Sequence, residues 1–169
     1  MAKQIVFLLI FAEYMLNSRE QYINLHTHHP IKKNYIGIKS FCVHEICNDT
    51  IFPKYFSAGI HPWNILKADL KSSYELLESL TKNNLLLAIG ECGLDRSISV
   101  DINEQIEVFL TQLEIAKMSN KPLIVHNVRA FSDFLQILKS RKLDIPIIFH
   151  GFNGNEVILN ELLNYNTYF

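Results

Sequence analysis

The sequence predicts an α/β fold: a TIM-type (β/α) barrel, incomplete at its C-terminus, with about six to seven strands present. Three observations carry that prediction. Short β-prone runs alternate with segments whose apolar residues recur at three- and four-residue spacing. Residues able to bind divalent metals, namely His26, His28, Glu91, His126 and His150, each close or just follow one of those runs. A parallel barrel gathers the carboxyl ends of its strands at one mouth, where ligands distant in sequence converge, and this favours a barrel over a doubly wound sheet.

Taken in order, Gln21 to Leu25 is a short β-prone run ending at His26, and Ile36 to Val43 is a second, crowded with Ile, Phe and Val. Phe56 to Ile60 is a third, halted by Pro62 in His61-Pro62-Trp63. From Asp69 to Asn83 the spacing of Leu70, Tyr74, Leu77 and Leu80 predicts an amphipathic helix. Leu85 to Ile89 is apolar on both faces, as in a parallel strand covered by helices, and it delivers Gly90-Glu91.

Ile102, Ile106, Phe109, Leu110, Leu113 and Ala116 mark the next helical face, between Asp101 and Asn120, before Leu123-Ile124-Val125 runs into His126. Phe131, Phe134, Leu135 and Leu138 then give a helical stripe, and Ile145 to Phe149 a strand ending at His150. A last helix covers Glu156 to Tyr165, and Thr167-Tyr168-Phe169 reads as the start of a seventh strand. The barrel therefore occupies residues 20–169, with residues 1–19 as an N-terminal extension.

With 49% apolar and 20% charged residues in 169, the chain is one globular domain rather than a disordered segment. A formal net charge of -1 gives no broad electrostatic footprint for duplex nucleic acid, so phosphate recognition has to be local. Cys42, Cys47 and Cys92 are odd in number and lack C-x-x-C spacing, which points to a reducing, cytoplasmic setting. The apolar run Ile5 to Ala12 behind Lys3 is shorter than the roughly 20 residues a bilayer requires. No small-x-small cleavage site follows it, and it is read as an extension ahead of a start at Met15, with no membrane partner.

His26 and His28 stand at i and i+2 on an extended segment and so point to one side, while His29 alternates away. Taken singly, each candidate has a plain structural explanation: a polar strand end, a solvated loop glutamate, or a hydrogen-bonded core histidine. Together, four imidazoles and one carboxylate at separate strand ends fit a two-ion site of Mg, Mn or Zn. Two ions about 3.5 to 4 Å apart would share Glu91 and a hydroxide that attacks a phosphodiester or other ester. His61 either orients substrate or belongs to a turn pinned by Pro62, with Trp63 packed on the barrel rim. Asp95 is either a loop or helix-entry carboxylate or an acceptor that steadies a liganding histidine.

These segments, in this order, resemble the TatD-like family of metal-dependent hydrolases, within the amidohydrolase superfamily, whose better-known members are deoxyribonucleases. His26-Thr27-His28 is similar to the family's opening H-x-H, and Ala58 to Trp63 to its G-x-H-P segment. Ala88 to Asp95 resembles its I-G-E-x-G-L-D signature, and Lys121 to His126 and His150 to Gly154 resemble the later ligand segments. The resemblance implies a TIM-type barrel with His26 and His28 on one ion, His126 and His150 on the other, and Glu91 between them. It implies catalytic roles at Glu91 and His61, substrate contacts at His61 and Arg129, and DNA or a short oligonucleotide as substrate.

Three departures from the family pattern stand out. Asn24 occupies the position of an expected carboxylate, Arg129 follows His126 by three residues instead of two, and no counterpart of the family's late Glu-Thr-Asp segment occurs. The expectation is a C-terminally truncated member whose open edges favour self-association. Two alternatives stay open: a catalytically impaired remnant or interaction protein that keeps the ligands, and a hydrolase of non-phosphate ester or amide bonds.

Overall fold

Parallel strands in sequential order are the frame of the molecule, seen in a computed structural model that describes residues 22–31, 35–141 and 143–169, with only the backbone at 22, 23 and 35. The expected N-terminal extension, residues 1–19, lies outside the described residues. The strands are β1 (Tyr22–Thr27), β2 (Tyr35–Cys42), β3 (Phe56–Gly59), β4 (Leu86–Asp95), β5 (Leu123–Val128), β6 (Ile147–Phe149) and β7 (Thr167–Tyr168). They form one sheet in the order β1 to β7, every neighbouring pair parallel. Helices α1 (Leu70–Leu80), α2 (Ile102–Met118), α3 (Phe131–Ser140) and α4 (Glu156–Leu162) follow β3, β4, β5 and β6 in turn. This is an incomplete TIM-type barrel in which, among the described residues, β1 and β7 each have a single neighbour.

The sheet curls. In a flat sheet the ends of β1 and β6, five strand spacings apart, would stand about 24 Å from each other. Instead the ring of His26 on β1 lies 4.1 Å from the ring of His150, which directly follows β6.

Side chains alternate between two apolar layers. Ile38, Ala88, Ile124 and Ile148 fill the concave interior, while Phe56, Phe109, Leu123, Val125, Phe134 and Phe149 pack between sheet and helices. Burial on both faces explains why Leu123-Ile124-Val125 and Ile147-Ile148-Phe149 are unbroken apolar runs. Helices α1, α2 and α4 begin where carboxylate or amide caps sit: Asp69 accepts from the Ser72 N–H, Asp101 from Asn103 and Asn155 from Ile158. No helix among the described residues is long and apolar enough to cross a membrane.

Two connections depart from simple βα alternation. β2 leads to β3 through a 3-10 turn, Val43–Glu45, with no α-helix. Only residues 28–34 separate β1 from β2, against the dozen or more of an ordinary parallel crossover. Ile31 in this connection lies against Gly37, where an added Cβ would stand 3.0 Å from it.

Helix α2 sets the height of two strand ends with buried amides. Gln112 accepts from the Ile60 N–H at 2.7 Å and donates to the Ile60 carbonyl at 3.0 Å. One heptad earlier, Gln105 accepts from the Asp95 N–H at 2.7 Å and donates to the Asp95 and Val100 carbonyls at 3.0 and 2.8 Å. Each glutamine acts as a short stretch of neighbouring strand for backbone groups that burial would otherwise leave unpaired. Replacing Gln112 with Met preserves volume but strands the Ile60 N–H and C=O. Urea unfolding of Gln112→Met should show a loss of about 2 to 4 kcal/mol, and a loss below about 0.5 kcal/mol would contradict the role assigned to this amide.

Candidate active site

Strand β4 builds the centre of the site by a local irregularity. The sequence pattern ends this strand at Ile89, but it continues through Gly90-Glu91-Cys92-Gly93-Leu94 to Asp95. Its pairing with β5 slips by one residue between Ile89 and Cys92, so both of these face the outer core while Glu91 turns to the concave side. Gly90 and Gly93 have φ of 131° and 145°. A Cβ at Gly90 would strike the Ile124 carbonyl oxygen and one at Gly93 the His126 carbonyl oxygen. Only glycine allows the backbones of β4 and β5 to approach this closely while holding those angles.

Glu91 is 5% exposed and its two oxygens serve different imidazoles. Oε2 lies 2.9 Å from His26 Nε2 and 3.1 Å from His28 Nε2, and those two nitrogens are 3.1 Å apart. Oε1 lies 3.2 Å from His126 Nδ1 and 3.8 Å from His61 Nε2. Two groups offer ligand atoms mutually within 4.8 Å: His26, Glu91 and His150, and His61, Glu91 and His126.

The geometry thus brings His26, His28, Glu91, His126, His150 and His61 together, with His26 and His28 on one oxygen of Glu91 and His126 and His61 on the other. Curling of the sheet sets His26 of β1 beside His150, while His61, after β3, meets His126 of β5 with ring centroids 4.4 Å apart. His28 reaches Glu91 and His26 from the outer side and is 54% exposed. Arg129 is exposed just beyond β5, with a φ of 53°, and does not line the cavity. His29 is exposed, and Asn24 accepts from the His26 backbone N–H at 3.2 Å.

Burial alone would raise the Glu91 pKa, but hydrogen bonds with His126 and His26 and the surrounding imidazoles hold it well below the usual carboxylate range. Burial pushes His61 down to about 4, helped by neighbouring His126. His150 is also lowered, by burial and then by His26. His126 moves the other way: burial opposes its protonation, but Glu91 and Asp95 outweigh that and raise it. His61 and His150 are therefore neutral near pH 7 and Glu91 is anionic, and Glu91 with the neutral His150 suits a cation. The buried His26 Nδ1 has no hydrogen-bond partner, an orphaned lone pair or proton that a bare protein has no use for.

Asp95 resolves into the acceptor of the two readings given to it. Its Oδ2 lies 3.0 Å from His126 Nε2 and accepts from the Trp63 indole N–H at 2.7 Å. Its Oδ1 accepts from the Ser97 N–H at 2.8 Å and from the Ser97 hydroxyl. Burial opposes the charge, yet these bonds from Ser97, His126 and Trp63 keep the carboxyl well below its ordinary value. An anionic Asp95 accepts from His126 Nε2 and so orients the ring with Nδ1 toward Glu91.

His61 lies in the turn expected for its segment, with its second ring nitrogen toward Glu91. It caps the 3-10 turn Pro62–Lys67, its Nδ1 accepting from the Trp63 N–H at 3.2 Å, and its Nε2 faces Glu91. Trp63, expected to pack on the rim, is instead 58% exposed. These residues share a cavity of about 500 Å³ with Glu91, His126 and His150.

The bracing groups were not recognised from sequence: Gln105, Gln112 and the Trp63 indole. Their one visible signal is that both glutamines interrupt the apolar face of α2 seven residues apart, where a polar side chain is the informative exception.

Residues 40–169 match the family described as TatD related DNase. The uncharacterized metal-dependent hydrolase YabD of Bacillus subtilis is 31% identical over 116 residues, 68% of this chain and 45% of the relative. The 3'-5' ssDNA/RNA exonuclease TatD of Edwardsiella piscicida is 30% identical over 114 residues, 66% of this chain and 44% of the relative. The chain spans less than half the length of each. The crystal structure of YJJV, a TatD homolog from Escherichia coli, superposes with a TM-score of 0.68 at 21% identity, covering 86% of this chain and 66% of that one, which shows the fold. With more than half of its length matched by the family's pattern, the chain belongs to the TatD-related DNase family.

Proposed function

We propose that this site binds two divalent metal ions and serves the hydrolysis of phosphodiester bonds, with single-stranded DNA or a short oligonucleotide as substrate. The observation that carries the proposal is the buried Glu91 carboxylate, each of whose oxygens faces a different set of imidazoles. The names of two relatives, a metal-dependent hydrolase and an ssDNA/RNA exonuclease, support the same reading. His26, His28, His126 and His150 would hold the ions with Glu91 between them. Bound there, the ions supply a water acidified to act as nucleophile near neutral pH and neutralise charge on the leaving oxygen.

The chain's own residues do the rest. Because His61 Nδ1 is engaged as an acceptor, its Nε2 carries the proton. His61 is thus a donor toward substrate oxygens instead of a metal ligand. Asp95 fixes the orientation of His126 through Nε2, as carboxylates do for liganding histidines. Arg129 contributes at most a phosphate contact outside the cavity. A cavity of about 500 Å³ suits one or two nucleotides, in keeping with a chain that carries no net positive charge.

Single-stranded DNA incubated with the protein and Mg, Mn or Zn should be cleaved, with the rate abolished by chelation. Glu91→Gln should lower that rate by at least about 100-fold. Metal binding without cleavage by the unaltered chain would instead support a remnant that keeps its ligands, and cleavage that survives chelation would overturn the metal reading.

Metal affinity should also fall as pH falls. The raised pKa of His126 means that below it a proton occupies the ring and competes with the ion, so affinity is greatest above that pKa and is lost through it. Calorimetric titration with Mn at pH 8 and pH 6 should show clearly weaker binding at pH 6, and equal affinity would exclude His126 as a ligand.

A further inference from the structure

Trp63 is the chain's single tryptophan, and its state is unusual for so large an apolar ring. It is 58% exposed, yet it is pinned in three ways. Its indole N–H donates to Asp95 at 2.7 Å, and its backbone N–H donates to His61 Nδ1 at 3.2 Å. The rings of His61 and His126 meet it edge-to-face, at centroid distances of 5.2 and 6.0 Å. Simple hydrophobic burial would have hidden the ring, and a solvated surface residue would lack these tethers. What remains is a rigid aromatic surface on the same cavity as Glu91, His126 and His150.

We propose that Trp63 is a nucleobase-stacking subsite, taking the unpaired base that flanks the scissile phosphodiester of a single strand. This rests on the phosphodiester reading above and adds to it the part of the substrate that is recognised. A fixed aromatic face beside a reacting centre receives a base by stacking, an interaction open to every base because each has a π-face. A paired base has both faces covered within its duplex, and the formal net charge of -1 offers no basic stripe to hold a duplex backbone. Binding strength then comes from the ring, with little preference for base identity.

The position of the ring also ties recognition to the site. Asp95 Oδ2 accepts from the indole and faces His126 Nε2, so the side chain that receives the base also braces the carboxylate that orients His126. Trp63 is in this sense both a contact for substrate and a positioning residue. Trp63→Phe separates the two roles, because it keeps a ring and removes the donor.

A lone tryptophan reports on itself. Addition of a thymidine dinucleotide to the full chain should quench its fluorescence saturably, and an abasic analogue of equal charge should quench little. By calorimetry, Trp63→Leu should bind the dinucleotide roughly 5- to 150-fold more weakly. Trp63→Phe should retain most of the affinity while slowing metal-dependent cleavage of base-bearing and abasic strands alike. An unquenched Trp63, or a Trp63→Leu variant with unaltered affinity, would overturn the subsite. Quenching without any strand cleavage keeps the subsite and removes the hydrolase reading. Cleavage at equal rates on base-bearing and abasic strands, with Trp63 unquenched, does the reverse.

Discussion

A carboxylate that is 95% withdrawn from water has to be matched by positive charge or by donors, and Glu91 is where the whole arrangement answers to that demand. Imidazoles of His26, His28, His61 and His126 face its two oxygens at 2.9 to 3.8 Å. Without bound cations the balance rests on a proton held at His126, and the buried His26 Nδ1 stays unpartnered. A cation beside Glu91 would take the place of that proton. Under the proposed function, the chemistry of the site and the cost of burying its charge meet at the same carboxylate.

The fold is organised to place that carboxylate. The extra residue in β4 at Gly90-Glu91 turns the side chain inward, and the absence of a Cβ at Gly90 and Gly93 lets β5 lie close enough to present His126. Curling of the sheet carries β1 round to the end of β6, which delivers His26 and His150. From outside, α2 grips the backbone at Ile60 and Asp95 through Gln112 and Gln105. Those two backbone positions precede His61 and carry the partner of His126, so one rigid helix sets the relative height of groups from three strands. Preorganisation of this kind is what a site needs to act without reorganising for each substrate.

Much of this was legible in the residues. Apolar runs such as Leu123-Ile124-Val125 and helical stripes such as Leu70, Tyr74, Leu77 and Leu80 encode burial directly, because period and hydrophobicity are properties of the chain itself. His26, Glu91, His126 and His150 were visible as candidates because polar groups stand out at the ends of such runs. Which imidazoles stand side by side was not visible, since it depends on how far the sheet curls, which no local pattern records. Asp95 was left with two readings and its tether to Trp63 went unseen, because a hydrogen bond between residues 32 positions apart leaves no periodic trace. The brevity of the β1 to β2 connection escaped for a related reason: strand pattern does not show that neighbours so close in sequence are parallel until the pairing is known.

Glu91 is proposed to stand between two cations. Crystals of the full chain soaked in Mn and measured at the Mn absorption edge test it most directly. The account predicts two anomalous peaks flanking the Glu91 carboxylate, one beside His26 and His150 and the other beside His126. No peak at Glu91, or ions bound only elsewhere on the surface, would contradict it.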